Sequence, residues 1–208
     1  MSSDSLFPAL VESERLRYEP LYDVVDTLDI YEYHRTGEMD AVMAPLGEAV
    51  HATRKKTFDE VTTAEEQWES AKRATYAISR RADDEFVGVA ELWFEWEKRR
   101  VSFGTWIREP FWGRGYSGER AGAMLYVVFD VLDVAVVAVG HEPDNDQSKR
   151  AIQKYVERYG GQHDAVLRNR LPPGDTGGPR DLSIYSISQE QWRERVTDDE
   201  VSSIAVRQ

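Results

Sequence analysis

The sequence contains no cysteine, which excludes disulfides, thiolate metal centres and a cysteine nucleophile, and leaves the redox compartment open. Lysine is scarce, supplying six of the 26 basic side chains against 38 acidic ones. A formal net charge of −12 argues against a nucleic-acid ligand, because phosphate binding needs a basic footprint. The same acid-rich, lysine-poor balance fits either a halophile's salt-rich cytoplasm or an ordinary acidic cytosolic protein. Long apolar runs are missing as well. Val134–Val139 is far short of the ~20 residues that span a bilayer. The opening MSSDSLFPALVESERL lacks the basic start and apolar centre of a secretory signal. A cytoplasmic protein without a membrane partner is the expectation.

What is present suits one folded domain. The chain has 208 residues, is 41% hydrophobic and carries six Trp, ten Tyr and seven Phe, enough to build a core. The expected unit is residues 1–208, with 1–14 as an N-terminal extension and 193–208 as a flexible C-terminal tail. Arg15–Leu21 reads as a first strand, and Thr63-Ala-Glu-Glu66 as a capping box for a helix reaching Arg73. Thr75–Arg80, Phe86–Trp96 and Val101–Ile107 read as an antiparallel meander, its last two strands joined by the turn Glu97–Arg100. From Ser117 to Leu132 apolar residues recur at helical spacing, and Val134–Val139 reads as a buried strand. Asp144 is positioned to cap a further helix that Gly160-Gly161 stops. Strands near His163–Arg170 and Asp181–Ile187 follow, linked by the mobile-looking, Gly/Pro-rich Leu171–Pro179.

Between meander and helix lies Phe111-Trp-Gly-Arg-Gly-Tyr-Ser-Gly118. It contains G-x-G-x-x-G, the dinucleotide spelling, but it follows an antiparallel strand at a distance. The 90 residues after it leave no room for the second half of a doubly wound sheet. The physical content survives the change of label. Glycines let backbone N–H groups approach phosphate oxygens, and a helix N-terminus adds its positive end. Either an anion cradle or a ligand-free turn is compatible with the segment alone.

The order of elements, with Val101–Glu119, Asp144-Asn-Asp-Gln-Ser148 and Asp181–Trp192, resembles the GNAT acetyltransferase superfamily, most closely its RimJ/RimL-like ribosomal-protein-alanine branch. That resemblance implies an α+β fold: a mixed central sheet of about seven strands, the fourth and fifth splayed, flanked by about four helices. It implies acetyl-CoA as cofactor, with the pantetheine arm in a gap between Thr105–Arg108 and Val137–Gly140. Contacts would come from Trp106, Ile107, Arg108, Trp112, Gly113, Arg114, Gly115, Tyr116, Ser117, Gly118, Asn145 and Ser148. No metal is implied, and His141-Glu142-Pro-Asp144 reads as a strand-to-helix turn.

Acetyl transfer to an amine needs a proton acceptor for the amine and a proton donor for the departing thiolate. The branch often places a carboxylate where this chain has Ser102. With a Glu97–Arg100 turn, Glu91 pairs with Trp106 and shares a sheet face with Glu95 and Ser102, which makes Glu91 the candidate base. Ser148 and Tyr155, two helical turns apart, are the candidate acids. The aromatic group Trp93, Phe94, Trp96, Trp106, Phe111 and Trp112 lines either an acceptor pocket, the core, or a homodimer contact. The implied function is N-acetylation of a primary amine, on a protein N-terminus or a small molecule. A catalytically inactive acyl-CoA-binding sensor or scaffold is the alternative that Ser102 keeps open.

Overall fold

The computed structural model describes residues 5–43, 50–173 and 178–208. Nine strands form one sheet: β1 (Leu10–Glu12), β2 (Leu16–Pro20), β3 (Arg73–Arg80), β4 (Phe86–Glu95), β5 (Arg100–Ile107), β6 (Val136–His141), β7 (Gln162–Leu171), β8 (Arg180–Ser188) and β9 (Ala205–Arg207). Their spatial order is β7-β8-β6-β5-β4-β3-β2-β1-β9. The helices are α1 (Leu21–Val24), α2 (Thr27–Arg35), α3 (Asp40–Met43), α4 (Arg54–Glu69), α5 (Tyr116–Tyr126), α6 (Asp146–Arg158), α7 (Gln189–Arg195) and α8 (Asp198–Ser202). This is the mixed α+β architecture expected, with more strands and more helices than the sequence suggests.

The two additional strands come from the chain ends. Val11 of β1 pairs with Val206 of β9 and with Tyr18 of β2, so the expected extension supplies the last-but-one strand of the sheet and the expected tail supplies its edge. Both are three residues long, too short for a period-2 pattern to register in the sequence.

Alternation assigns the faces. Ala90 and Leu92 of β4, Val101 and Phe103 of β5, and Val137 and Val139 of β6 enter the main core with Ala121, Leu125, Ile152 and Tyr155 of α5 and α6. The intervening residues face the side of α1, α2 and α4, where Leu21, Ile30, Ala77, Phe86 and Val89 form a smaller cluster. The β4–β5 turn is one residue earlier than predicted. Trp96–Lys98 makes a 3-10 turn closed by Arg99 at φ 46°, so Glu95 pairs with Arg100 and Glu91 with Gly104. The register therefore moves by two residues, which preserves every face while sliding Glu91 along β5.

Helix boundaries moved for identifiable reasons. Thr53 caps α4 by accepting the Lys56 N–H, ten residues before the predicted box. Thr63 instead donates to the Asp59 carbonyl at 2.7 Å within the helix. The ion pairs Lys55–Asp59 and Lys56–Glu60, each i to i+4, support the extra turns. After Tyr126 the chain makes a π-helical turn, Val127–Val131, with Leu132 N–H bonded to Val127 O at 3.0 Å. Asn145, rather than Asp144, caps α6.

Strands β5 and β6 are parallel and paired only from Arg100–Phe103 to Val136–Val139. Beyond that, β5 stays with β4 through Ile107 opposite Gly88, and β6 stays with β8 through His141 opposite Ser183. The sheet therefore splits from Gly104 and Gly140 onward. The gap opens later than the sequence suggests on the β6 side, because Val137–Val139 are still bonded to β5.

Candidate active site

The split opens onto a groove of about 810 Å³ along α5 and α6. At its centre Gly113 and Gly115 have φ of +74° and +82°, a left-handed backbone that L side chains adopt at a cost of about 1–2 kcal/mol. Gly115 is the N-cap of α5 and its carbonyl accepts the Gly118 and Glu119 N–H groups. The helix starts at Tyr116, one residue before the predicted Ser117, and this N-terminal turn, the positive end of α5, lines the groove. Gly113, Gly115, Tyr116, Ser117 and Gly118 all line it, as do Trp106, Ile107 and Trp112. Trp112 is fixed by its indole N–H to the Ile107 carbonyl at 2.6 Å.

Two predicted contacts lie elsewhere. Arg108 is buried and turns from the groove. Its guanidinium pairs with Glu38, donates to Phe86 O at 2.6 Å and stacks over Tyr33 at 4.1 Å. Arg114 is exposed at the loop tip, where its carbonyl accepts from Arg15 at 3.0 Å.

Arg15 itself was missed by the sequence reading. It donates to Glu119 at 2.7 Å and lies over Tyr116 at 4.8 Å, while Ser13 also bonds Glu119 at 2.7 Å. The β1–β2 turn thus clamps the cradle from outside. Arg150, Lys154 and Arg158 line the same groove at i, i+4 and i+8 of α6. This basic stripe in an otherwise acidic chain is the one overlooked signal that the sequence did carry. Glu200 of α8 pairs with Arg158, and Ser203 and Ile204 add to the lining. The C-terminal segment therefore walls the far end of the groove.

Asn145, Ser148 and Tyr155 come together as predicted and border both this groove and a second cavity of about 210 Å³ inside the split. Asn145 holds the Ser148 N–H at 3.0 Å. Tyr155 is 2% exposed and its hydroxyl has no hydrogen-bond partner. Burial pushes its pKa up, opposed by the charge of Arg120, so the phenol keeps its proton and remains a donor. These features fit a thioester of coenzyme A: a glycine cradle and basic stripe for phosphates, and an unsatisfied phenol where the sulfur end would lie.

Glu91 sits across the sheet from α5 and α6. It lies level with Gly104, where the strands part, rather than with Trp106. A Cβ on Gly104 would stand 3.0 Å from Glu91 Oε2, so the glycine lets the carboxylate rest against the start of the split. Arg73 pairs with Glu91 at 3.0 Å and lies over Trp93 at 4.4 Å. The predicted aromatic group divides in two. Phe94 and Trp96 stack with each other at 4.4 Å and with Phe7, whereas Trp106, Phe111 and Trp112 border the groove. His141 forms a strand-to-helix turn, its Nδ1 2.7 Å from Glu142 O. Among the described residues, no cluster of three or more His, Asp or Glu could hold a metal, and no helix is long and apolar enough to cross a membrane.

Comparison with known proteins agrees with this geometry. The family model described as "Acetyltransferase (GNAT) domain" matches residues 15–155. The FsC-acetyl coenzyme A-N(2)-transacetylase of Aspergillus fumigatus is 30% identical over 99 residues, 45% of this chain; the match spans only 38% of that protein. Mycobacterium smegmatis RimJ, solved with CoA-disulfide, superposes with a TM-score of 0.76 at 16% identity, over 96% of this chain and 94% of its own. Spermidine N-acetyltransferase from Vibrio cholerae, solved with CoA and spermine, gives 0.66 at 13% identity, over 89% and 98%. The chain belongs to the GNAT acetyltransferase family, whose members use acetyl-CoA.

Proposed function

We propose that this protein is an acetyl-CoA-dependent N-acetyltransferase of the RimJ/RimL-like branch, acting on the primary amine of a protein N-terminus or a small molecule. The observation that carries the reading is the split between β5 and β6, with the α5 cradle, Ser148 and Tyr155 on one side and Glu91 on the other. The donor enters along α5 and α6, its pyrophosphate on the Gly113–Gly118 amides. The amine approaches from the Glu91 face. Its nitrogen forms the new C–N bond, the C–S electron pair leaves on sulfur, and the amine proton passes to Glu91. Tyr155, with Ser148 beside it, supplies a proton to the thiolate. Arg73 keeps the Glu91 carboxylate in place. Much of the acceleration comes from alignment of two bound reactants.

The test is thiol release from acetyl-CoA in the presence of N-terminal peptides and of polyamines such as spermidine. The expected result is release above the hydrolysis background with one of these classes. Binding of acetyl-CoA with no acceptor-dependent release across the panel would replace this reading with that of an acyl-CoA-binding module.

A further inference from the structure

The second cavity contains a charge that acetyl transfer does not use. Arg120, in the second turn of α5, is 1% exposed and lines this space. Its Nε and Nη1 are buried without hydrogen-bond partners, and no carboxylate of the described residues pairs with it. The rings of Phe103 and Tyr155 lie at 5.4 and 5.7 Å, and the guanidinium is near enough to the Tyr155 phenol to oppose the rise in its pKa. Neighbouring acids are engaged elsewhere: Glu119 by Arg15 and Ser13, and Glu142, at the cavity mouth, by Arg180. A guanidinium keeps its proton under all ordinary conditions, and a buried one without a counter-charge is strongly unfavourable. The site is therefore complete only when a ligand brings an anion.

The place of the cavity says which ligand. It shares Thr105, Ser117, Asn145, Ser148, Ala151 and Tyr155 with the donor groove and continues beyond them into the split. Beyond them Phe103, Val139, Ile152 and Leu182 give apolar wall, and His141 and the Arg180-paired Glu142 join the lining. The cavity's volume of about 210 Å³ is room for several water-sized groups. An acetyl group has three heavy atoms, whereas a four-carbon dicarboxylic acyl group has seven.

We propose that this cavity is an acyl-recognition site and that the protein also uses coenzyme A thioesters of short dicarboxylic acids, the distal carboxylate being held by Arg120. The inference rests on the acyltransferase reading above and specifies its donor. The step balances as before: the amine displaces the thiolate, its proton passes to Glu91, and Tyr155 protonates the sulfur. Exchange with solvent returns one proton to Tyr155 and removes one from Glu91, and the distal carboxylate is unchanged.

Binding of succinyl-CoA, butyryl-CoA and acetyl-CoA, measured by titration calorimetry without an acceptor, tests it. Succinyl-CoA is expected to bind at least about tenfold tighter than butyryl-CoA, the same carbon chain without the charge. Arg120→Met should abolish that ratio and Arg120→Lys should retain part of it, with thermal melts confirming that both variants fold. Equal affinities in the native protein, or a ratio that survives Arg120→Met, overturn the proposal. So does a carboxylate brought by the amine partner, since it leaves the two thioesters equal in this assay. If none of the three binds, the acyltransferase reading itself has failed.

Discussion

The two sides of the split in the sheet are built in different ways. On the α5–α6 side the groove lining is mostly local: the glycine turn from Gly113 to Gly118 and the stripe Arg150, Lys154 and Arg158 on one helix. On the opposite side the candidate base depends on three strands. Glu91 comes from β4, its partner Arg73 from β3, and the space it occupies from Gly104 of β5. A surface made by one turn tolerates shifts elsewhere in the fold. A surface made across strands is only as well placed as the registers between them.

This contrast gives ordered expectations. The largest effect falls on the cross-strand side. Glu91→Gln should lower kcat by about a hundredfold or more, the usual range for losing a general base, with acetyl-CoA affinity little changed because donor binding is on the other side. Steady-state thiol release and calorimetry separate the two quantities. Full turnover by this variant would remove Glu91 from the mechanism and leave that face without a role. The next effect is on the local side. Gly115→Val forces a β-branched residue to φ +82° and should weaken acetyl-CoA binding about tenfold or more, from the strain and the displaced amides. Unchanged affinity would mean that the cradle is only a turn.

The smallest effect is expected away from the split, where α2 and α4 meet the segment entering α4. His34 and His51 stack at 3.8 Å, and His51 lies 2.9 Å from the Thr57 hydroxyl and 3.2 Å from Glu60, which Lys56 also pairs. Burial, aided by the adjacent His51, lowers the His34 pKa from 6.5 to about 4. The hydrogen bond from His51 leads in lowering Glu60 from 4.5 to about 2. In both cases the unfolded chain takes up the proton first as pH falls. Stability should therefore decline from about pH 6.5 toward 4 through His34, and from about 4.5 toward 2 through Glu60. Urea midpoints measured across this range should slope accordingly, and His34→Gln should flatten the upper part. An unchanged slope in that variant would show that the histidine pair does not couple folding to pH.

Legibility followed the same division. The glycine turn opening α5, the α6 cap region and the pairing of Ser148 with Tyr155 at two-turn spacing could be read in advance, because each depends on neighbours along the chain. The face of Glu91 was legible from alternation, but its level was not. Moving the turn to Trp96–Arg99 slid it from Trp106 to Gly104. Arg108 was misjudged for a related reason. It looked like a groove residue and is sealed against Glu38 and Tyr33, while Arg120, which no sequence pattern singled out, is buried facing the second cavity. Long basic side chains reach several ångströms from their backbone, so their destination depends on what the fold places around them.

The sequence by itself determined seven of the nine strands and the glycine turn that opens α5, because glycine conformation, helix periodicity and strand alternation are properties of adjacent residues. It also determined the acidic balance against which the α6 basic stripe stands out. Only the tertiary structure decided that residues 10–12 and 205–207 close an edge of the sheet, that β5 and β6 part at Gly104, and that a buried, unpaired guanidinium waits inside the gap. Those outcomes depend on contacts between residues far apart in the chain, whose geometry no local pattern encodes.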